Sequence, residues 1–157
     1  MSTTTTTRMR KRLNAPRAKV YAALIDGEAV AKWMVPDGMT SEVHVFEPRV
    51  GGAFRISLTY DPGPGAGVGK TAGRTDTYHG RFVELIPNER VVQVMEFETT
   101  DASMRGEMKV TFTLTDAEDG TTDLSAVHEG VPAAVPPADN ELGWKLSLGK
   151  LAALVEA

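Results

Sequence analysis

A chain of 157 residues with 41% hydrophobic content is one domain's worth and long enough to bury a core. Its formal net charge of −4 argues against non-specific nucleic-acid binding, no apolar run approaches the roughly 20 residues that cross a bilayer, and the N-terminus lacks a secretory apolar core. The absence of cysteine excludes disulfides and cysteine-based zinc sites, and a cytoplasmic setting is the simplest expectation.

Residues 1–7 are Ser/Thr-rich without apolar anchors and are expected to form a disordered tail, leaving one domain over 8–157. Arg8 to Asn14 could serve as a basic nucleic-acid arm, but Met9 and Leu13 share a face at period two, which favours a strand. Pro16 then suits a first helical turn, and Val20, Tyr21 and Leu24 follow at helical spacing up to a break at Gly27. A short second helix over Glu28 to Met34 would bury Val30, Trp33 and Met34. Alternating segments come next: Ser41 to Phe46, Phe54 to Tyr60, Tyr78 to Ile86, Arg90 to Glu98, Met108 to Thr115 and Thr121 to His128. The clearest is the fifth, where Met108, Val110, Phe112 and Leu114 alternate with Lys109, Thr111, Thr113 and Thr115. Asp119-Gly120 marks a hairpin, and short turns throughout imply an antiparallel meander.

The proline-rich stretch Val131 to Pro137 reads as a loop, after which Asp139 or Asn140 can cap a helix running to about Glu156. Trp144, Leu148, Leu151 and Val155 lie on one face of it, and Leu142, Leu146, Gly149 and Ala153 on nearly the opposite one. A helix apolar on two sides is normally enclosed, so the expectation is an α+β domain with a curved sheet wrapped around this helix. A curved sheet and a straight helix do not fit flush. The gap between them is either a filled core or a concave apolar pocket of about 300–1,000 Å³.

The motifs support a family resemblance. Arg12-Leu13-Asn14-Ala15-Pro16 with Val20 to Leu24, Trp33 in the short second helix, Arg49-Val50-Gly51-Gly52-Ala53-Phe54, Gly80 to Arg90 with Glu84, Pro87 and Arg90, and Gly143-Trp144 with Leu148 and Leu151 follow one another in a characteristic order. Together they resemble the SRPBCC (START-like, helix-grip) superfamily, in its branch similar to the activator of Hsp90 ATPase, over about Arg8 to Glu156. The resemblance implies a helix-grip fold: about seven antiparallel strands around a long C-terminal helix, two short helices after the first strand, and a deep cavity. Its members include carriers, receptors, cyclases and aromatases, so it does not dictate an activity.

Pro64-Gly65-Ala66-Gly67-Val68-Gly69-Lys70-Thr71 looks like a phosphate loop, but Pro64 occupies the place of the first glycine and no helical period follows. It reads instead as a hairpin loop, Asp61 to Asp76, placed to act as a lid. His128 is in phase with Leu124 and Ala126 and should face inward, as a general acid or base or as a core histidine bonded to a carbonyl. Glu84 is in phase with Gly80 and Phe82, either buried with a raised pKa or paired at the rim with Arg55, Arg81 or Arg90. Three scattered histidines lack metal-ligand spacing.

The leading expectation is a binding protein for a small apolar or aromatic ligand, acting as carrier, sensor or sequestering domain without a cofactor. Expected contacts are Trp144 and Trp33 first, then Met34, Phe54, Ile56, Leu58, Tyr78, Phe82, Met95, Phe97, Met108, Val110, Phe112, His128 and Leu148. A cyclase, dehydratase or hydrolase would need His128, Glu84 and Tyr78 to converge. A chaperone-regulating or homodimeric module would need a contiguous exposed apolar patch.

Overall fold

The computed structural model describes residues 4–35, 38–60 and 75–157. Strand β1 (Thr4–Leu13) leads into helices α1 (Arg17–Leu24) and α2 (Gly27–Trp33). Strands β2 (Met39–Phe46), β3 (Ala53–Tyr60), β4 (Thr75–Ile86), β5 (Arg90–Phe97), β6 (Met108–Asp116) and β7 (Thr122–Pro132) follow, and helix α3 (Pro137–Glu156) closes the chain. The seven strands form one curved antiparallel sheet in the order β1-β7-β6-β5-β4-β3-β2. The helices between β1 and β2 carry the chain from one edge of the sheet to the other. The expected lid and the phosphate-loop-like stretch lie outside the described residues, apart from Thr75 and Asp76 in β4.

Period two explains the concave face. Met108, Val110, Phe112 and Leu114 of β6 and Leu124 and Ala126 of β7 are buried, as are Phe54 and Ile56 of β3. In β5 apolar residues occupy both phases, and the ladder assigns each to a face. Val91, Gln93 and Met95 stand opposite Phe112, Val110 and Met108 of β6, which places them on the core side. Val92 and Val94 are also buried on the other face, Val94 between its ladder partners Arg81 and Lys109, and Val92 between Glu84 and Thr111. That two-sided burial is why the pattern of this strand could not be read locally.

Three expectations need correction. The strand begins at Thr4 rather than Arg8, because Thr4, Thr5 and Thr7 pair with Pro132, Val131 and His128 of β7. The loop expected from Val131 begins later, since Val131 and Pro132 belong to β7. Helix α3 is capped by neither Asp139 nor Asn140. Pro136 is its N-cap, with no side-chain cap bond, and Pro137 fills the first turn, where the missing N–H costs nothing.

The enclosure of α3 is the larger correction. Leu148, Leu151, Ala152 and Val155 are buried against the core, but Leu142 is 55% exposed and Gly149 and Ala153 face solvent. The helix packs mainly against β1, α2 and α1, and its Trp144 meets Phe112 of β6 and His128 of β7. The sheet stays open, with β1 and β2 as free edges, so its concavity takes the helix's Trp144 face and leaves the other to water.

Close approach dictates glycine at position 80 in the middle of the sheet. Gly80 of β4 lies opposite Phe54 on β3 and Met95 on β5. A Cβ there would sit 2.0 Å from the Val94 carbonyl oxygen and 2.8 Å from the Phe54 ring. Backbone cannot swing aside as a flexible side chain can. Gly80→Ala is therefore expected to cost about 2 kcal/mol, read as a lower urea midpoint at unchanged slope.

Candidate functional site

Between the concave sheet and the first turns of α3 lies a cavity of about 560 Å³. Five of the chain's seven methionines line it: Met34, Met39, Met95, Met104 and Met108. Thioethers on unbranched chains are polarisable and adapt to irregular shapes, so this lining suits apolar or aromatic guests of varied outline. Leu58, Tyr60, Tyr78, Phe97, Val110, Val131 and Val135 add to the wall, and Trp144 closes the helix side. Among the described lining residues there is no lysine or arginine, whereas Asp76 and Asp139 contribute carboxylates. Asp76 is only 2% exposed.

His128 is the polar centre of the wall. Its alternation with Leu124 and Ala126 turns it inward, and it is buried. Trp144 Nε1–H donates to His128 Nδ1 at 3.1 Å, and the Asn140 amide nitrogen approaches the same atom at 3.2 Å. The Asn140 amide also donates to Thr7 Oγ1 at 2.8 Å, so β1, β7 and α3 meet at this ring. An indole N–H can only donate, so Nδ1 must accept. The neutral ring then carries its proton on Nε2, which points at Met108 Sδ, 3.3 Å away. Burial pushes the pKa of His128 down to about 4. A proton added at Nδ1 would also face two donors. The carbonyl partner expected from the sequence is replaced by an indole, an amide and a thioether.

Tyr78 projects from β4 into the same space, and its hydroxyl donates to Met34 Sδ at 3.6 Å. Burial pushes its pKa far up, so the phenol stays protonated and remains a donor.

The structure sorts the expected contacts into two groups. Met34, Leu58, Tyr78, Met95, Phe97, Met108, Val110, His128 and Trp144 line the cavity. Trp33, Phe54, Ile56, Phe82, Phe112 and Leu148 do not. Trp33, Phe54, Ile56 and Phe112 surround a separate void of about 10 Å³, too small for an organic guest. Trp33 is core: its Nε1 donates to the Ala23 carbonyl at 3.0 Å and its ring meets Phe112 edge-on.

Glu84 leaves the site altogether. A bulge between Phe82 and Glu84 inserts one residue and inverts the phase, so Leu85 packs toward the core and Glu84 turns outward. There it pairs with Arg90 at 3.2 Å, one of the rim partners expected for it. His79 and His44 also face away, bonded to Glu98 and to Ser57. No group of three metal-ligating His, Cys, Asp or Glu residues occurs among the described residues.

Several lining residues escaped the sequence reading. Met104 comes from a short 3-10 turn (Ala102–Met104), where no period announces burial. Asn140 read as a helix cap. Asp76 read as the end of a polar loop. The usable signal was the methionine excess itself, concentrated near strand ends.

A family model described as Activator of Hsp90 ATPase homolog 1-like protein matches residues 14–156. The solved structure of protein CV1439 from Chromobacterium violaceum is similar at 39% identity, with 97% of each chain covered and a TM-score of 0.85. The AHSA1 protein SPO3351 from Silicibacter pomeroyi shares the fold at 20% identity, 97% and 98% coverage and a TM-score of 0.74. So does protein Ms6760 from Mycobacterium smegmatis, at 17% identity, 96% and 90% coverage and a TM-score of 0.70. No curated protein shows a significant match.

Proposed function

Because this chain belongs to the Activator of Hsp90 ATPase homolog 1-like family, whose fold suits ligand binding, we propose that it holds a small apolar or aromatic molecule between the sheet and α3, as a cytoplasmic carrier, sensor or sequestering domain. The observation that carries this reading is the 560 Å³ cavity walled by five methionines together with Tyr78, Phe97 and Trp144.

The polar groups favour binding over acid–base catalysis. A general base needs a free lone pair near neutral pKa. His128 has its only lone pair engaged by Trp144 and Asn140, and its pKa lies near 4. Glu84 sits outside the cavity, so the expected trio with Tyr78 does not converge.

The test is thermal unfolding against a panel of neutral aromatic and aliphatic compounds, with native mass spectrometry of freshly purified protein. A ligand at about 100 times its Kd should add about 2.7 kcal/mol of stability, and a co-purified molecule should appear as a discrete added mass. A panel without any shift and a protein without any added mass would overturn the proposal.

A further inference from the structure

Two buried donors face the cavity, and among the described residues each meets only a thioether there. His128 Nε2–H reaches Met108 Sδ at 3.3 Å, and Tyr78 O–H reaches Met34 Sδ at 3.6 Å. Thioether sulfur is a weak acceptor, and methionine is flexible enough to move aside. A carbonyl oxygen entering the cavity would give either donor a much better partner at little cost to the wall. Nothing equivalent awaits a ligand donor at His128, because Trp144 and Asn140 occupy Nδ1. Anions are disfavoured by a lining that holds Asp139 and, among the described residues, no cationic side chain.

Resting on the binding reading above, we infer that the ligand is a neutral aromatic compound with hydrogen-bond-acceptor oxygens, read by the fixed Nε2–H donor of His128 and the O–H donor of Tyr78. The donors stand on β7 and β4, with β6 and β5 between them. Three strand spacings separate their backbones by roughly 14 Å, so a ligand engaging both carries acceptors at two separated points of its scaffold.

A matched series tests this: 2-acetylnaphthalene, 2,6-diacetylnaphthalene, 2-ethylnaphthalene, 2-naphthoate and 2-(aminomethyl)naphthalene, titrated by calorimetry. The monoketone should bind about 10-fold more tightly than the ethyl compound, and the diketone more tightly again. Tyr78→Phe removes one hydroxyl while keeping the ring. It should abolish the diketone's advantage and shift the carbonyl stretch of the bound diketone back toward its free value. His128→Phe should do the same for the other carbonyl, and Tyr78→Phe keeps the test decisive if that variant fails to fold. Equal affinity for ketone and hydrocarbon, or tightest binding of the carboxylate or the amine, overturns this inference while leaving ligand binding intact. Failure of the whole series to bind overturns both.

Discussion

Trp33→Ala should be the most destabilising single change at a position that the sequence marked as a ligand contact. The ring is 1% exposed, lies edge-on to Phe112 at a 6.1 Å centroid separation, and donates its N–H to the Ala23 carbonyl. Truncation removes the packing of α2 on the sheet, opens a cavity and leaves a buried carbonyl unpaired. The expected loss is about 4 to 5 kcal/mol, or a fall in Tm on the order of 10 °C or more. Trp33→Phe should cost less, because the ring contact partly survives and only the N–H is lost. Trp144→Phe provides the contrast. It leaves the α2 packing intact and instead loosens the His128 network and the cavity wall, so its effect should appear mainly in ligand affinity. Chemical denaturation of the three variants, with and without a bound compound, separates the two tryptophans. A Trp33→Ala protein as stable as wild type would contradict the placement of Trp33 in the core.

Acid should weaken the folded state well above the range where carboxylates titrate. His128 has a pKa of about 4 when folded, against about 6.5 when exposed. Between those values the unfolded chain takes up a proton that the folded chain refuses. Stability from this group is therefore complete above about pH 6.5 and is lost progressively as the pH falls toward 4. The total is about 3 kcal/mol. Glu98 acts in the same direction, but only lower, because the Arg55 guanidinium holds its carboxyl below the ordinary glutamate value. Asp76 and Asp139 share the cavity with His128, so the slope is assigned by substitution rather than by shape. His128→Gln retains an acceptor for Trp144 and Asn140 and has nothing to titrate. Urea midpoints between pH 7 and 4.5 should fall steeply for wild type and much less for this variant. Parallel curves would refute the role of His128. Nitrogen NMR of the ring should independently show a neutral Nε2–H tautomer at pH 7.

The same ring shows how the site is assembled from distant pieces. Thr7 lies at the start of β1, Asn140 and Trp144 in the first turns of α3, and Met108 on β6. The sequence placed His128 inward correctly, since strand alternation alone decides that. Its partners could not be read, because each had a plausible local role: Thr7 in a polar tail, Asn140 as a cap, Met108 as core.

What the amino-acid order settled by itself was whatever depends on neighbours along the chain. The β6 alternation, the Asp119-Gly120 turn, the two short helices after β1 and the long final helix are consequences of side-chain period and backbone preference over a few residues. Tertiary structure decided whatever depends on a partner strand or on shape. A single bulge after Phe82 sent Glu84 to the surface, since one extra residue inverts every later side chain of a strand. The open sheet chose which apolar face of α3 to bury and left Leu142 in water. Whether the space beneath that helix was filled or hollow also lay beyond local pattern. Trp33 and Phe112 fill one end while methionines line a hollow at the other, because volume is a sum over residues far apart in the chain.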